Sequence, residues 1–202
     1  MKKFKIGNIV FISLAILVCI ISFITVLVNG GETKTLFTYL TLVSFAALVF
    51  ALVLTILSKE KLMMIPMLVV FLNSFFLYNM LNSSLAAIME QAGASKYYGM
   101  DTFEFVMLVL AILGIVFTCL KQKWGAIVGI VGIAYMIYAQ NSLIYGFAAI
   151  KDNISQYSVI AWNATSVLFQ FVWLLLPMIF FLCEKPKKEE VPQVEEQQEE
   201  VK

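Results

Sequence analysis

The first 31 residues read MKKFKIGNIVFISLAILVCIISFITVLVNGG, and no charged side chain interrupts the run from residue 6 to residue 28. As a helix rising about 1.5 Å per residue, that run is about 34 Å long, enough to cross roughly 30 Å of hydrocarbon. A secretory leader also starts with lysines before apolar residues, but its core is usually about 7–15 residues long. Here the apolar part continues from Ile9 to Val28, and no small-x-small cleavage site precedes Asn29-Gly30-Gly31. The segment is expected to be a retained first membrane span.

Five further runs repeat the pattern. Apolar stretches at about 35–57, 62–89, 102–120, 124–150 and 157–183 complete a set of six, with Glu90 and Glu104 only at their rims. The 202-residue chain is 61% hydrophobic, and its mean hydropathy of +0.91 exceeds what a soluble domain buries. None of the runs alternates polar and apolar residues as barrel strands do. The expected fold is all-α: a polytopic membrane protein, a bundle of six transmembrane helices spanning residues 1–183.

Lysines orient it. One set of alternate loops holds Lys2, Lys3, Lys5, Lys59, Lys61, Lys121, Lys123, Lys185, Lys187, Lys188 and Lys202; the other holds Lys34, Lys96 and Lys151. Basic flanks stay on the cytoplasmic side, so both termini are expected in the cytoplasm of a cell-membrane protein. Residues 184–202, EKPKKEEVPQVEEQQEEVK, carry two prolines and no aromatic residue, the composition of a disordered charged cytoplasmic tail. Asn153-Ile154-Ser155 is a glycosylation sequon, relevant only in a eukaryotic secretory route. Pro66 falls in the first turn of the third span, whereas Pro177 lies inside the sixth and predicts a kink there.

A shift of 62 positions aligns Asn79 with Asn141, Ala86-Ala87-Ile88 with Ala148-Ala149-Ile150, and Glu90 with Asp152. This is either an internal repeat of helical hairpins or the chance product of a small hydrophobic alphabet.

Polar side chains concentrate in the outer halves of the spans. The third span carries Asn79, Asn82, Ser83 and Glu90; the fifth carries Tyr138, Asn141, Ser142 and Tyr145; the sixth carries Asn163, Ser166 and Gln170; Asp101 and Glu104 open the fourth. Amides facing lipid would cost several kcal/mol each, so these faces are expected to turn toward one another or toward water. Two readings follow. Asn79, Asn82, Ser83, Glu90, Tyr138, Asn141, Tyr145, Asn163 and Gln170 line an outward polar pocket for a small polar solute, or they are interhelical hydrogen-bond glue. Acids at loop boundaries such as Asp101 and Glu104 are more often solvated. Tyr97, Tyr98, Tyr157, Trp162 and Trp124 stand where interfacial anchors belong, and Gly125, Gly129 and Gly132 form a helix-packing face for another helix of this chain, a second copy or another membrane subunit.

Absences narrow the chemistry. Without histidine there is no Ser-His or Cys-His pair and no HExxH site, and Cys19, Cys119 and Cys183 stand apart with no CxxC. No catalytic residues, metal or cofactor are expected, and a net charge of +1 with topological lysines gives no support for nucleic-acid binding. In span count, size and topology the chain resembles the six-helix substrate-binding subunits of energy-coupling-factor transporters, although the small-residue pattern of their first span is missing. That resemblance implies a solute-binding transport subunit with a separate energising partner. The alternative is a non-enzymatic accessory or scaffold subunit docking on a larger membrane complex.

Overall fold

The computed structural model describes residues 2–29, 34–91, 102–149 and 157–183. They form α1 (Lys2–Asn29), α2 (Lys34–Ile56), a 3-10 turn (Glu60–Met63), α3 (Met64–Gln91), α4 (Thr102–Cys119), α5 (Lys123–Ala149) and α6 (Tyr157–Cys183). All six α-helices are long and apolar enough to span a membrane. The third helix starts at Met64 rather than Leu62 because the 3-10 turn takes up residues 60–63, and α6 continues through Pro177. The tail from residue 184, Asp101 and the sequon lie outside the described residues.

Consecutive helices run antiparallel and pack as two rows of three, α2–α3–α4 against α1–α6–α5. The middle pair, α3 and α6, supplies much of the fully buried bulk: Met67, Phe71, Phe171 and Trp173 are at most 1% exposed. Outer faces are apolar as well, with Leu17, Phe50, Phe76 and Val131 exposed.

One end of the bundle collects Lys5, Lys59, Lys121 and Lys123, and we call it the lysine-rich end. Two turns there share one design. Ser58 and Lys121 adopt positive φ, 56° and 62°. The amides of Ser58 and Lys59 bond back to Thr55 and Leu54, and those of Lys121 and Gln122 to Thr118 and Phe117. Both are Schellman closures in which a left-handed residue satisfies the last carbonyls of a helix. The Lys5 ammonium adds a bond of 2.7 Å to the Ile56 carbonyl, a favourable place for a cation at a helix C-terminus. The opposite, amide-rich end holds Asn82, Glu104 and Gln140.

Candidate functional site

Asn163, Ser166, Gln170 and Trp173 follow one another on α6 at spacings of three, four and three, which places them along one side of the helix. Each is buried and each meets another helix or its own neighbour. Asn163 Oδ1 accepts from Ser22 Oγ on α1 at 2.5 Å. Gln170 Oε1 accepts from Ser44 Oγ on α2 at 2.9 Å and from Ser74 Oγ on α3 at 2.5 Å. Its Nε2 donates to Ser166 Oγ at 3.2 Å. Asn73 Nδ2 donates to Ser44 Oγ at 2.5 Å and to the Leu40 carbonyl at 2.6 Å. Three helices, α2, α3 and α6, therefore converge on one glutamine, whose amide oxygen and nitrogen are both satisfied within the protein.

A second polar layer lies nearer the lysine-rich end. Trp173 Nε1 donates to Asn8 Oδ1 at 3.1 Å, Asn8 Nδ2 to Thr55 Oγ1 at 3.3 Å, and Lys5 Nζ to Ser58 Oγ at 2.9 Å. Ile12, Leu48, Ala51, Val70 and Phe71, each 0% exposed, fill the depth between the two layers. The polar series is interrupted by hydrocarbon, which is the wrong construction for a continuous conduction path.

Of the residues singled out from the sequence, Asn163 and Gln170 share this network. The others are dispersed. Asn79 Nδ2 donates to the Phe75 carbonyl of its own helix at 2.9 Å, and exposed Ser83 donates to the Asn79 carbonyl at 2.9 Å. Asn82 is buried on α3 at 6% exposure. Tyr138, 69% exposed, and exposed Asn141 turn away from the bundle and do not join Asn163 and Gln170. The cause is on α5 itself: at 100° per residue Tyr138 lies about 180° from Gly129, and Asn141 about 120° from it. Glu90 and Tyr145 belong to α3 and α5, but their side chains fall outside the described residues.

The glycines take the inward face. A Cβ on Gly114 of α4 would run into the Gly129 backbone, one on Gly125 into Phe117, and one on Gly132 would stand 2.6 Å from the Ala111 amide nitrogen. Gly125, Gly129 and Gly132 therefore pack on α4 of the same chain, with Met178 of α6 also against Gly129.

Glu104 departs from the expectation of a solvated rim acid. It is buried at 8% exposure and its Oε1 accepts from the Tyr78 hydroxyl at 2.9 Å. Antiparallel pairing of α3 with α4 brings that tyrosine across, a long-range contact invisible in either helix alone. Asn8, Ser22, Ser44, Asn73, Ser74 and Trp173 were also missing from the candidate set. Apart from the adjacent Asn73 and Ser74, each is an isolated polar group in an apolar run, so only the shared side of α6 signalled that partners were needed. Gln140, 0% exposed, bonds the Ala164 carbonyl at 3.0 Å through Nε2, and its Oε1 has no hydrogen-bond partner among the described residues.

Among the described residues no three His, Cys, Asp or Glu side chains come together in a way that could hold a metal ion. No known family model matches the chain, and it has no significant similarity to a curated protein or a solved structure.

Proposed function

We propose that the chain is an integral protein of the cell membrane, with its lysine-rich end in the cytoplasm, and that it acts as a non-enzymatic accessory subunit docking sideways on another membrane protein. Six apolar helices with apolar outer faces support the setting, and the lysine asymmetry supports the orientation. One observation carries the choice of role. The amides a solute pocket would use are spent between helices at Gln170 and Asn163, while Tyr138 and Asn141 stand on the outside of α5. There a hydrogen-bonding partner helix would satisfy them. Phe103 and Tyr135, edge to face at 5.0 Å, extend the same surface as a rigid aromatic shelf.

The test places a photoreactive residue at Tyr138 or Asn141 in native membranes. The expected result is a discrete adduct with another membrane protein, absent when the residue is placed at Phe50 on α2. Equal, diffuse labelling from all three positions overturns the docking reading. A topology reporter at the carboxyl end found outside the cell overturns the orientation.

The solute-binding reading keeps one supporting observation, the Tyr78–Glu104 pair with buried Asn82 on α3. An intramembrane carboxylate is a reasonable place to hold a small cationic solute. Under that reading Glu104→Gln abolishes uptake without loss of folded protein; unchanged uptake removes it.

A further inference from the structure

The lysine-rich end surrounds the point where the chain leaves α6. Lys59, Lys121 and Lys123 are exposed there. Lys5 gives its ammonium to the Ile56 carbonyl and the Ser58 hydroxyl, neutral acceptors that hold the charge in place without cancelling it. With Lys2, Lys3 and Lys61, the start of α1 and the two turns carry seven lysines and one acid, Glu60. α6 lies between α1 and α5 in its row. In its last turn Phe180 stands 3.6 Å from where a Cβ on Gly7 of α1 would be, and the Phe181 ring lies 5.4 Å from the Lys121 ammonium. Beyond Cys183, therefore, the chain has the lysines of α1 on one side and those of the α4–α5 turn on the other.

The sequence that follows changes sign. Residues 184–188, EKPKK, are basic, whereas residues 189–200, EEVPQVEEQQEE, carry six glutamates and no lysine. At no more than about 3.3 Å per residue, Glu189 reaches about 20 Å from Cys183 and Glu200 about 56 Å. Three helices spaced about 8–10 Å apart set their outermost axes about 20 Å apart, so the acidic block can lie across the whole lysine-rich end. Exposed ion pairs are weak one at a time and screened by salt. Here many can form at once, and the tether holds the acids at an effective concentration on the order of millimolar.

We propose that residues 189–200 fold back over the lysine-rich end and cover it, keeping acidic headgroups and acidic partners from those lysines until the segment is displaced. The contact needs no fixed conformation of the segment, as its composition requires. It uses the end of the bundle and leaves the α5 docking face free.

The experiment holds the full chain in nanodiscs of phosphatidylcholine, with or without one part in about three of phosphatidylglycerol to supply anionic headgroups, and times cleavage after glutamate by glutamyl endopeptidase. A synthetic peptide of residues 184–202 in the same tube sets the rate for an uncovered segment. Cleavage within 189–200 should be several-fold slower than in the peptide at low salt and equal to it at high salt, in both kinds of disc. Lys59→Gln, Lys121→Gln and Lys123→Gln together should remove most of the difference at low salt, and an unfolding temperature near that of the parent shows that the bundle is intact. Zero-length carbodiimide coupling should join glutamates of 189–200 to Lys5, Lys59, Lys121 or Lys123 within one chain, several-fold above coupling to Lys34 at the opposite end. Cleavage at the peptide's rate in low salt, protection unchanged by the triple substitution, or equal coupling to Lys34 overturns the proposal. Protection lost when phosphatidylglycerol is present assigns the lysines to headgroups and overturns it as well. Each of these failures leaves the α5 docking reading standing, since photocrosslinking from Tyr138 or Asn141 tests that separately.

Discussion

Ser22, Ser44 and Ser74 join α1, α2 and α3 to α6 through side-chain hydrogen bonds, whereas α4 meets α5 where Gly114 and Gly129 bring two backbones together. The two sides of the bundle respond differently to change. A side-chain bond spans a gap that rotamers can adjust, and its loss leaves the helices packed. A backbone contact has no adjustable part, since the space a Cβ needs is already occupied by the other main chain. On the glycine side, then, shape alone fixes the pairing, and on the hydroxyl side a polar register selects which faces meet.

The largest expected effect breaks the glycine side. Gly114→Leu forces α4 from α5 by a whole side chain, and overpacking of that kind costs about 1–3 kcal/mol or more. With no space to relax into, it should exceed the upper figure and abolish a monodisperse species on size-exclusion chromatography in mild detergent. A folded protein within about 1 kcal/mol of the parent would show that the two helices part easily.

Gln170→Leu is the matching break on the hydroxyl side, expected to cost about 1–3 kcal/mol because it strands the hydroxyls of Ser44 and Ser74 in the core. Both can turn back to carbonyls of their own helices, which holds the loss toward the lower figure. Adding Ser44→Ala and Ser74→Ala should restore part of the stability by removing the stranded donors, as measured by equilibrium unfolding in mixed micelles. If the triple variant is less stable than Gln170→Leu alone, the serines contribute packing that does not depend on the glutamine.

Tyr78→Phe and Glu104→Gln probe the seam between the two sides. Removing the hydroxyl donor should cost about 1 kcal/mol. The amide variant keeps an acceptor for that hydroxyl and should cost less. A larger loss from Glu104→Gln would mean that the negative charge, and not the tyrosine bond, holds α3 to α4.

The same contrast explains what could be read in advance. Six helices, their ends within about two residues except at the start of α1, where Lys2 rather than residue 6 begins the helix, and the glycine stripe follow from composition and spacing within single segments. The partners of Asn163 and Gln170 do not: Ser22, Ser44 and Ser74 sit on three different helices, and nothing local distinguishes them from Ser13 or Ser142. Tyr138 and Asn141 are a different case. Their angular distance from Gly129 was present in the sequence, and a helix that turns its glycines inward must turn those residues out. Weighing the two faces of α5 against each other would have separated them from Asn163. Glu104 was misjudged because rim position was taken for exposure, while the tyrosine that covers it comes from another helix.

The smallest effects lie at the two matched turns. Ser58 and Lys121 hold left-handed conformations that suit glycine, so either replaced by glycine relieves backbone strain of about 1 kcal/mol. Each also loses a contact: Ser58 the bond from Lys5, and Lys121 its ammonium 5.4 Å over the Phe181 ring. The first loss is shallow, because Lys5 keeps its bond to the Ile56 carbonyl. The second removes a cation–π contact worth about 0.5–1 kcal/mol at an exposed site. Ser58→Gly should therefore raise the unfolding temperature slightly, and Lys121→Gly should leave it nearly unchanged. If Ser58→Gly is no more stabilising in a Lys5→Ala background than with Lys5 present, the ammonium does not restrain the first turn; if Lys121→Gly is the more stabilising with Lys5 intact, the contact with Phe181 contributes nothing.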